Sequence, residues 1–381
     1  MRLRHFLYGC SVVAAGVVLA LFAARPVPAD RLVVHPQQAA VADILTIPTS
    51  TFTSHKGVIT EASPDLFAYA HGTAMAHGKI FIGMAGVHGN TYPTNTILVF
   101  DDLTHLDHVT RLTIPGRGDI QTMVYDEATD MIYFMFSKNH RLDLYRLDPN
   151  TYAYSALIST SSVDVGMKPA ITTGGGYVYG ITQTDPATVF KVRIADGELS
   201  THTTGHIKNG HSAAIGKNGS QIELYFGGGE SSTFEKVDAS TLDSVGIVKL
   251  PGCILTNDMP YQQTDANGGF VYIGCETTPE GYRIRTADLH TTRFPLPGQS
   301  FGLFIFGNDL YNGSYDGHVD VFPNMDIGNL HRYYLTNGMK FSLAPGNELY
   351  LNQMFYDPAT GGLYVTAWWG VKNLFKVSLG T

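Results

Sequence analysis

Residues 110–149 read TRLTIPGRGDIQTMVYDEATDMIYFMFSKNHRLDLYRLDP. Three runs rich in β-branched and aromatic residues are separated by turn chemistry: Pro115-Gly116, then Asp126 to Asp130, then Lys138-Asn139-His140. Short apolar runs between Gly, Pro, Asn and Asp read as strands joined by tight turns. The strongest of these runs, 131–136, has counterparts at 79–84, 177–182, 222–227, 270–275, 309–314 and 362–368, with starts 39 to 53 residues apart. A second strand follows each copy, at 96–101, 142–148, 188–194, 233–238, 282–288, 318–322 and 373–378. Weaker, small-residue runs such as Thr73-Ala74-Met75-Ala76 and Ser212-Ala213-Ala214-Ile215 suit strands crowded near an axis. A period of this size, with four strands per unit, is that of a propeller blade. The expected fold is therefore all-β: a seven-bladed β-propeller of four-stranded antiparallel blades.

The phrase Leu112-Thr113-Ile114-Pro115 ends a unit, because Pro stops a strand by withholding an N–H from the ladder. The same phrase, Ile44-Leu45-Thr46-Ile47-Pro48, stands before any complete unit. It is expected to be the last strand of the final blade, closing the ring from the N-terminus. The domain reading is then a targeting segment at 1–29, a leader at 30–43 and a single propeller domain at 44–381.

Arg2 and Arg4 precede an apolar run at 11–24, and Val27-Pro28-Ala29 offers a small-residue cleavage pattern with Asp30 as the mature start. The uninterrupted stretch from Phe6 to Ala24 is just short of the roughly 20 residues of a membrane span, so an uncleaved single-pass anchor stays open beside cleavage. Either way the expected location is extracytoplasmic: secreted, periplasmic or in the cell envelope. Cys10 lies before the apolar run, not after it, which argues against a lipid anchor. The whole chain carries 25 Lys+Arg, 33 Asp+Glu and a net charge of −8. Removal of Arg2, Arg4 and Arg25 leaves 22 basic residues against 33 acidic, or −11. An acidic surface repels phosphate backbones, so nucleic acid is excluded as a partner. Beyond residue 29 the cysteines are Cys253 and Cys275, candidates for a disulfide or for two separate buried thiols.

Two hairpins nearly coincide, Tyr125-Asp126-Glu127-Ala128-Thr129-Asp130 and Tyr356-Asp357-Pro358-Ala359-Thr360-Gly361. Their Asp residues are expected to cap the turn through the side chain, since the order of a calcium loop is absent. Tyr364-Val365-Thr366-Ala367 is one residue from a Y-V-T-N signature, and Val271-Tyr272-Ile273-Gly274 is a looser relative. Over about 44–381 the chain resembles the YVTN and quinoprotein-amine-dehydrogenase-like seven-bladed propellers of bacterial cell envelopes. The likeness lies in blade pattern, not in a shared catalytic motif.

In such a ring, loops entering the innermost strands and loops between second and third strands share one face, where ligands commonly bind. On this register the strand entries supply His71, Asp119, Lys168, His211 and Asp258. The other loops supply His88, Tyr92, His140, Gln183, Glu230, Glu276, Asp316, Trp368 and Trp369. The long connections 49–72, 85–95 and 336–350 converge on the seam between blades seven and one, with the only two tryptophans, so the rim there is the favoured binding site. His71, Asp119, His211 and Asp258 are capable of metal binding or acid–base work, yet no pair has short ligand spacing, and no metal or cofactor is assigned. Arg117-Gly118-Asp119 reads as entry to an inner strand, and Gly174-Gly175-Gly176 and Gly227-Gly228-Gly229 read as turns. No nucleophile elbow is present. Two functions follow. The preferred one is a monomeric module binding a small molecule or an extracytoplasmic protein through the top face near blades seven and one. The alternative is an enzyme resembling propeller lactonases, lyases or quinoprotein dehydrogenases, favoured if the four polar residues converge.

Overall fold

The computed structural model describes residues 37–39, 41–45, 52–66, 69–85, 94–116, 118–137, 139–254, 258–337, 351–367 and 372–380. The opening stretch falls across two sheets. Thr110–Thr113 is the last strand of one antiparallel sheet, whereas Asp119–Asp126, Met131–Ser137 and Leu142–Leu147 begin the next, which Tyr154–Thr160 completes. Up-and-down four-strand units of this kind recur along the chain, each strand bonded to its sequence neighbour. The fold is all-β, built from repeated four-stranded antiparallel sheets.

Burial explains the differing strength of the sequence signal. The second strands, such as Lys79–Ala85 and Met131–Ser137, are buried on both faces and so read as continuous apolar runs. Outer strands such as Tyr154–Thr160 are largely exposed and lose that signature. The buried side chains form clusters between consecutive sheets. One joins Phe81 and Val99 of the first repeat to Phe134 and Phe136 of the second. Another joins Ile80, Leu98 and Phe100 of the first repeat to Tyr364 and Leu374 near the C-terminus. Each buried Phe or Leu contributes roughly 1.5–3 kcal/mol relative to exposure, so the sheet-to-sheet contacts dominate cohesion. Most neighbouring innermost strands also touch, and Leu351–Asp357 meets Tyr69–Ala76. There Asn352 Nδ2 donates to the Ala70 carbonyl at 2.8 Å.

The two similar hairpins share one device. Asp126 accepts hydrogen bonds from the Thr129 N–H and hydroxyl, and Thr129 reaches the Tyr133 hydroxyl at 3.1 Å. Asp357, Thr360 and Tyr364 repeat the pattern, with Thr360 to Tyr364 at 3.2 Å. The expected side-chain cap is what forms. Of the glycine triplets, Gly175 and Gly176 make a turn with positive φ, whereas Gly227 and Gly228 end the strand Gln221–Gly228, contrary to the turn expected there.

The N-terminal part differs from expectation. Phe52–Ala62, expected inside a long loop, is an eleven-residue strand. It pairs antiparallel with Leu374–Ser378 and parallel with Leu330–Asn337, merging two units into an eight-stranded sheet. Ile44 and Leu45 do not take that position. Val41–Ile44 lies parallel to Thr291–Pro295, and the Leu45 N–H donates to the Arg293 carbonyl, while 46–48 lie outside the described residues. Gln37–Ala39 likewise adds a parallel strand beside Ser244–Lys249. The N-terminal segment thus covers the outer edges of successive sheets, satisfying backbone groups that an open edge would expose. Its strand at 52–62 lacks alternation because Thr53 to Lys56 are exposed and only Gly57 and Ile59 are buried, so the sequence pattern hides it.

Candidate functional site at the channel mouth

The innermost strands are irregular at one shared level. Register shifts interrupt pairing between Ala70 and Thr73, Ile120 and Thr122, Gly210 and Ser212, Ser300 and Gly302, and Leu351 and Met354. The residues left over are His71-Gly72, Gln121, His211, Phe301 and Asn352-Gln353. A bulge re-aims a side chain and is common beside binding sites. All but Phe301 line a single polar cavity of about 80 Å³, which Lys168 and Asp258 complete. His71, Gln121, His211 and Asn352 are buried.

Lys168 enters from the third repeat. Gly166, at φ +72°, makes a parallel bridge to Gln183, and a Cβ at that glycine would lie 2.1 Å from the Gln183 carbonyl. Gln183 Oε1 in turn accepts the Lys168 N–H at 2.7 Å. From this fixed base the ammonium stands 5.6 Å from the centroid of Phe301, a side chain of the sixth repeat. Phe301 itself packs at 4.8 Å on Tyr315. Burial pushes the Lys168 ammonium below the ordinary lysine range, opposed by the charges of Glu276 and Asp258.

Asp258 stands in the fifth repeat, where its oxygen accepts a hydrogen bond from Gln353 Nε2. Gly302 makes room for it, because a Cβ there would meet Asp258 Oδ2 at 3.0 Å. Burial raises the carboxyl to about 6, against the opposing pull of Lys168 and Gln353. Both side chains are half-buried and line the cavity. Each charge is thus held where desolvation outweighs the attraction of its partner.

A disulfide fixes the acidic side of the mouth. Cys253 and Cys275 are bonded, with Cα atoms 5.1 Å apart. Cys253 precedes Asp258 by five residues and Cys275 adjoins Glu276, so the bridge ties together the two segments that supply the acids facing Lys168.

Of the residues singled out by sequence, the structure brings His71, Lys168, His211 and Asp258 into one cavity. Asp119 is buried just behind it, accepting from Gln121 Nε2 at 3.1 Å. His88, Tyr92, Trp368 and Trp369 lie outside the described residues. His140 pairs instead with Asp164 at 2.8 Å, and Asp316 with His318 at 2.7 Å. Sequence reasoning missed Gln121, Asn352 and Gln353. Their signal was a polar residue inside an otherwise small or apolar inner strand, but only the bulges show that they turn inward. Among the described residues no group of three or more His, Cys, Asp or Glu could hold a metal ion.

No protein-family model matches this chain, and no curated protein matches it. Solved structures match in fold. A chain from the crystal structure of the mitotic checkpoint complex superposes with a TM-score of 0.60 at 11% identity, covering 96% of this chain and 98% of that one. The WD40 β-propeller domain of Doa1 gives a TM-score of 0.59 at 11% identity, covering 85% of this chain and 96% of the other. The class of protein is thereby set as a β-propeller. At this identity the likeness carries the fold and not an activity.

Proposed function

We propose that this chain is an extracytoplasmic seven-bladed propeller that binds a small molecule or a protein through the face bearing the channel mouth. The observation that carries the reading is the set of bulges, which aims polar side chains from several sheets at one cavity. A ring of seven blades is supported by contacts between most neighbouring innermost strands and by the meeting of Leu351–Asp357 with Tyr69–Ala76. Closure by an N-terminal strand remains part of the reading, with Phe52–Ala62 in place of residues 44–48. An extracytoplasmic location is supported by the basic and apolar residues at 2–24 and by the Cys253–Cys275 bridge, which persists in oxidising compartments. The likeness to the YVTN-type propellers of cell envelopes belongs to the same reading. Within the described residues the mouth draws on most of the repeats, so the binding face is centred on the axis, with the seam of blades seven and one as its rim.

The test is calorimetric screening of the purified protein against neutral sugars, amines, carboxylates and peptides. Binding that the Lys168→Met variant loses and the remote Lys217→Met variant keeps supports the mouth as the site. Binding equal in both variants, or none from any class, overturns it.

A further inference from the structure

The cavity is chemically one-sided. Among the described residues, three of its lining side chains are basic, Lys168, His71 and His211, whereas Asp258 is the one acid. The remaining polar lining comes from amides and hydroxyls such as Gln121, Asn352 and Gln353, which donate hydrogen bonds without adding charge. A volume of about 80 Å³ corresponds to two or three waters at about 30 Å³ each, or to a carboxylate carried on one or two carbons. Resting on the reading of the mouth as a binding site, we propose that it receives a carboxylate head group, which takes the Lys168 ammonium as partner in place of Asp258.

The exchange has a direction. In the empty site the ammonium faces Asp258 from the fifth repeat and Glu276 from the neighbouring turn. His71 and His211 line the same space from the first and fourth repeats, and Asp119 lies behind Gln121. A second carboxylate beside an ionised Asp258 is repelled, and like charges sharing a site push one proton affinity upward. Asp258 is already displaced toward its neutral form by burial and, more weakly, by Glu276, while Lys168, a backbone N–H and Gln353 oppose that displacement. The arriving anion competes for Lys168, so Asp258 takes up a proton as the ligand enters. No covalent bond changes: one proton moves from solvent to the Asp258 carboxylate, and the net charge of the filled mouth equals that of the empty one. Affinity therefore falls as pH rises through about 6, where Asp258 ionises in the empty site.

The geometry also limits the ligand. Phe301, itself buried, stands beside the ammonium and is backed by Tyr315, so aromatic packing closes that side. The cavity of about 80 Å³ takes the head group alone, and any longer chain lies outside it. The carboxylate could belong to a free organic acid or to an acidic group on a protein, and the recognition chemistry is shared.

Titration calorimetry with acetate, succinate and an amidated peptide bearing one internal Glu, each at pH 5 and pH 8, tests this. In the wild type, affinity for at least one of these should fall at least about tenfold between the two pH values, the worth of one screened charge. Repeating the titration at pH 7 in buffers of differing ionisation enthalpy should show uptake approaching about one proton per ligand bound. Asp258→Asn should abolish both the uptake and the pH dependence while retaining binding, and Lys168→Met should abolish binding. Acetate or succinate binding alone assigns a free acid, whereas peptide binding alone assigns a protein group. Binding of sugars or amines at the mouth with no carboxylate bound overturns the inference but spares the binding site. No Lys168-dependent ligand from any class overturns both. Carboxylate binding without proton uptake overturns the exchange with Asp258.

Discussion

Asp258 and Asp320 carry similar titration behaviour in unlike surroundings. Burial raises each carboxyl to about 6. Asp320 is wholly buried within the sheet of the sixth repeat, where Asn312 Nδ2 donates at 2.9 Å and Arg332 Nε stands 3.6 Å away. Arg332 also reaches Asp316 at 2.5 Å, and Asp316 pairs with His318. The groups facing Asp320 are Arg332, Asn312, Asp316 and His318, and none of them lines the channel-mouth cavity. Asp258 faces that cavity and meets a lysine from a different repeat across the mouth. A perturbed carboxyl therefore marks a functional site only when space for a ligand adjoins it. The same desolvation serves packing in one place and exchange in the other.

The comparison can be broken most forcefully through the partner cations. Arg332→Leu leaves Asp320 buried without its charge partner, and a loss of about 3–5 kcal/mol in urea unfolding is expected. Lys168→Met, at the open mouth, should stay within about 1 kcal/mol of wild type. Equal losses in the two variants would show that the mouth is as rigidly packed as the sheet.

The disulfide offers the next largest effect. Cys253→Ser with Cys275→Ser should cost about 3 kcal/mol, the chain-entropy value for a loop of 22 residues. Because the bridge ties the Asp258 and Glu276 segments, hydrogen exchange should rise around 258 and 276 and stay unchanged around Asp320. Exchange rising uniformly would reduce the bridge to a global staple.

The pH dependence sharpens the contrast further. A carboxyl raised in the folded state binds its proton more tightly there than in the unfolded chain. Its contribution to stability is complete below about pH 4 and is lost as pH rises to about 6. Subtracting the Asp320→Asn stability profile from that of wild type should isolate a decline of about 2–3 kcal/mol across this window. The corresponding Asp258→Asn difference should fall in the same window. Saturating carboxylate should shift only the Asp258 profile to higher pH; a shift in both, or in neither, would remove the distinction between them.

The smallest expected effect lies in the two matched turns. Asp126→Ala and Asp357→Ala each remove a cap accepting from a Thr N–H and hydroxyl, and each should cost about 1 kcal/mol, seen as a shift in thermal midpoint. Their effects should add, since they sit in separate sheets.

Much of the fold is legible in residues 110–149 because buried second strands must be apolar on both faces, as in Met131–Ser137. The capped turns are legible for a related reason: Asp126 and Thr129 satisfy one another locally, within four residues. The candidate cavity is partly legible. His71, Lys168, His211 and Asp258 stand at strand entries that the repeat register locates. Gln121, Asn352 and Gln353 escaped because alternation along a regular strand gives no sign of a bulge. The edge strand Phe52–Ala62 escaped because it has little apolar surface to bury and gains its place through backbone pairing.

The sequence alone determined the all-β repeat, the capped turns at Asp126 and Asp357 and the strand entries, since each depends on neighbours close in the chain. Tertiary structure decided which strand lies beside Leu374–Ser378, how the cysteines pair and where Lys168 extends. These depend on groups separated by 22 to more than 300 residues or on register shifts of one or two residues, and no local pattern encodes either. The short phrase at 110–149 defines the unit, and side chains from several of its relatives line one cavity.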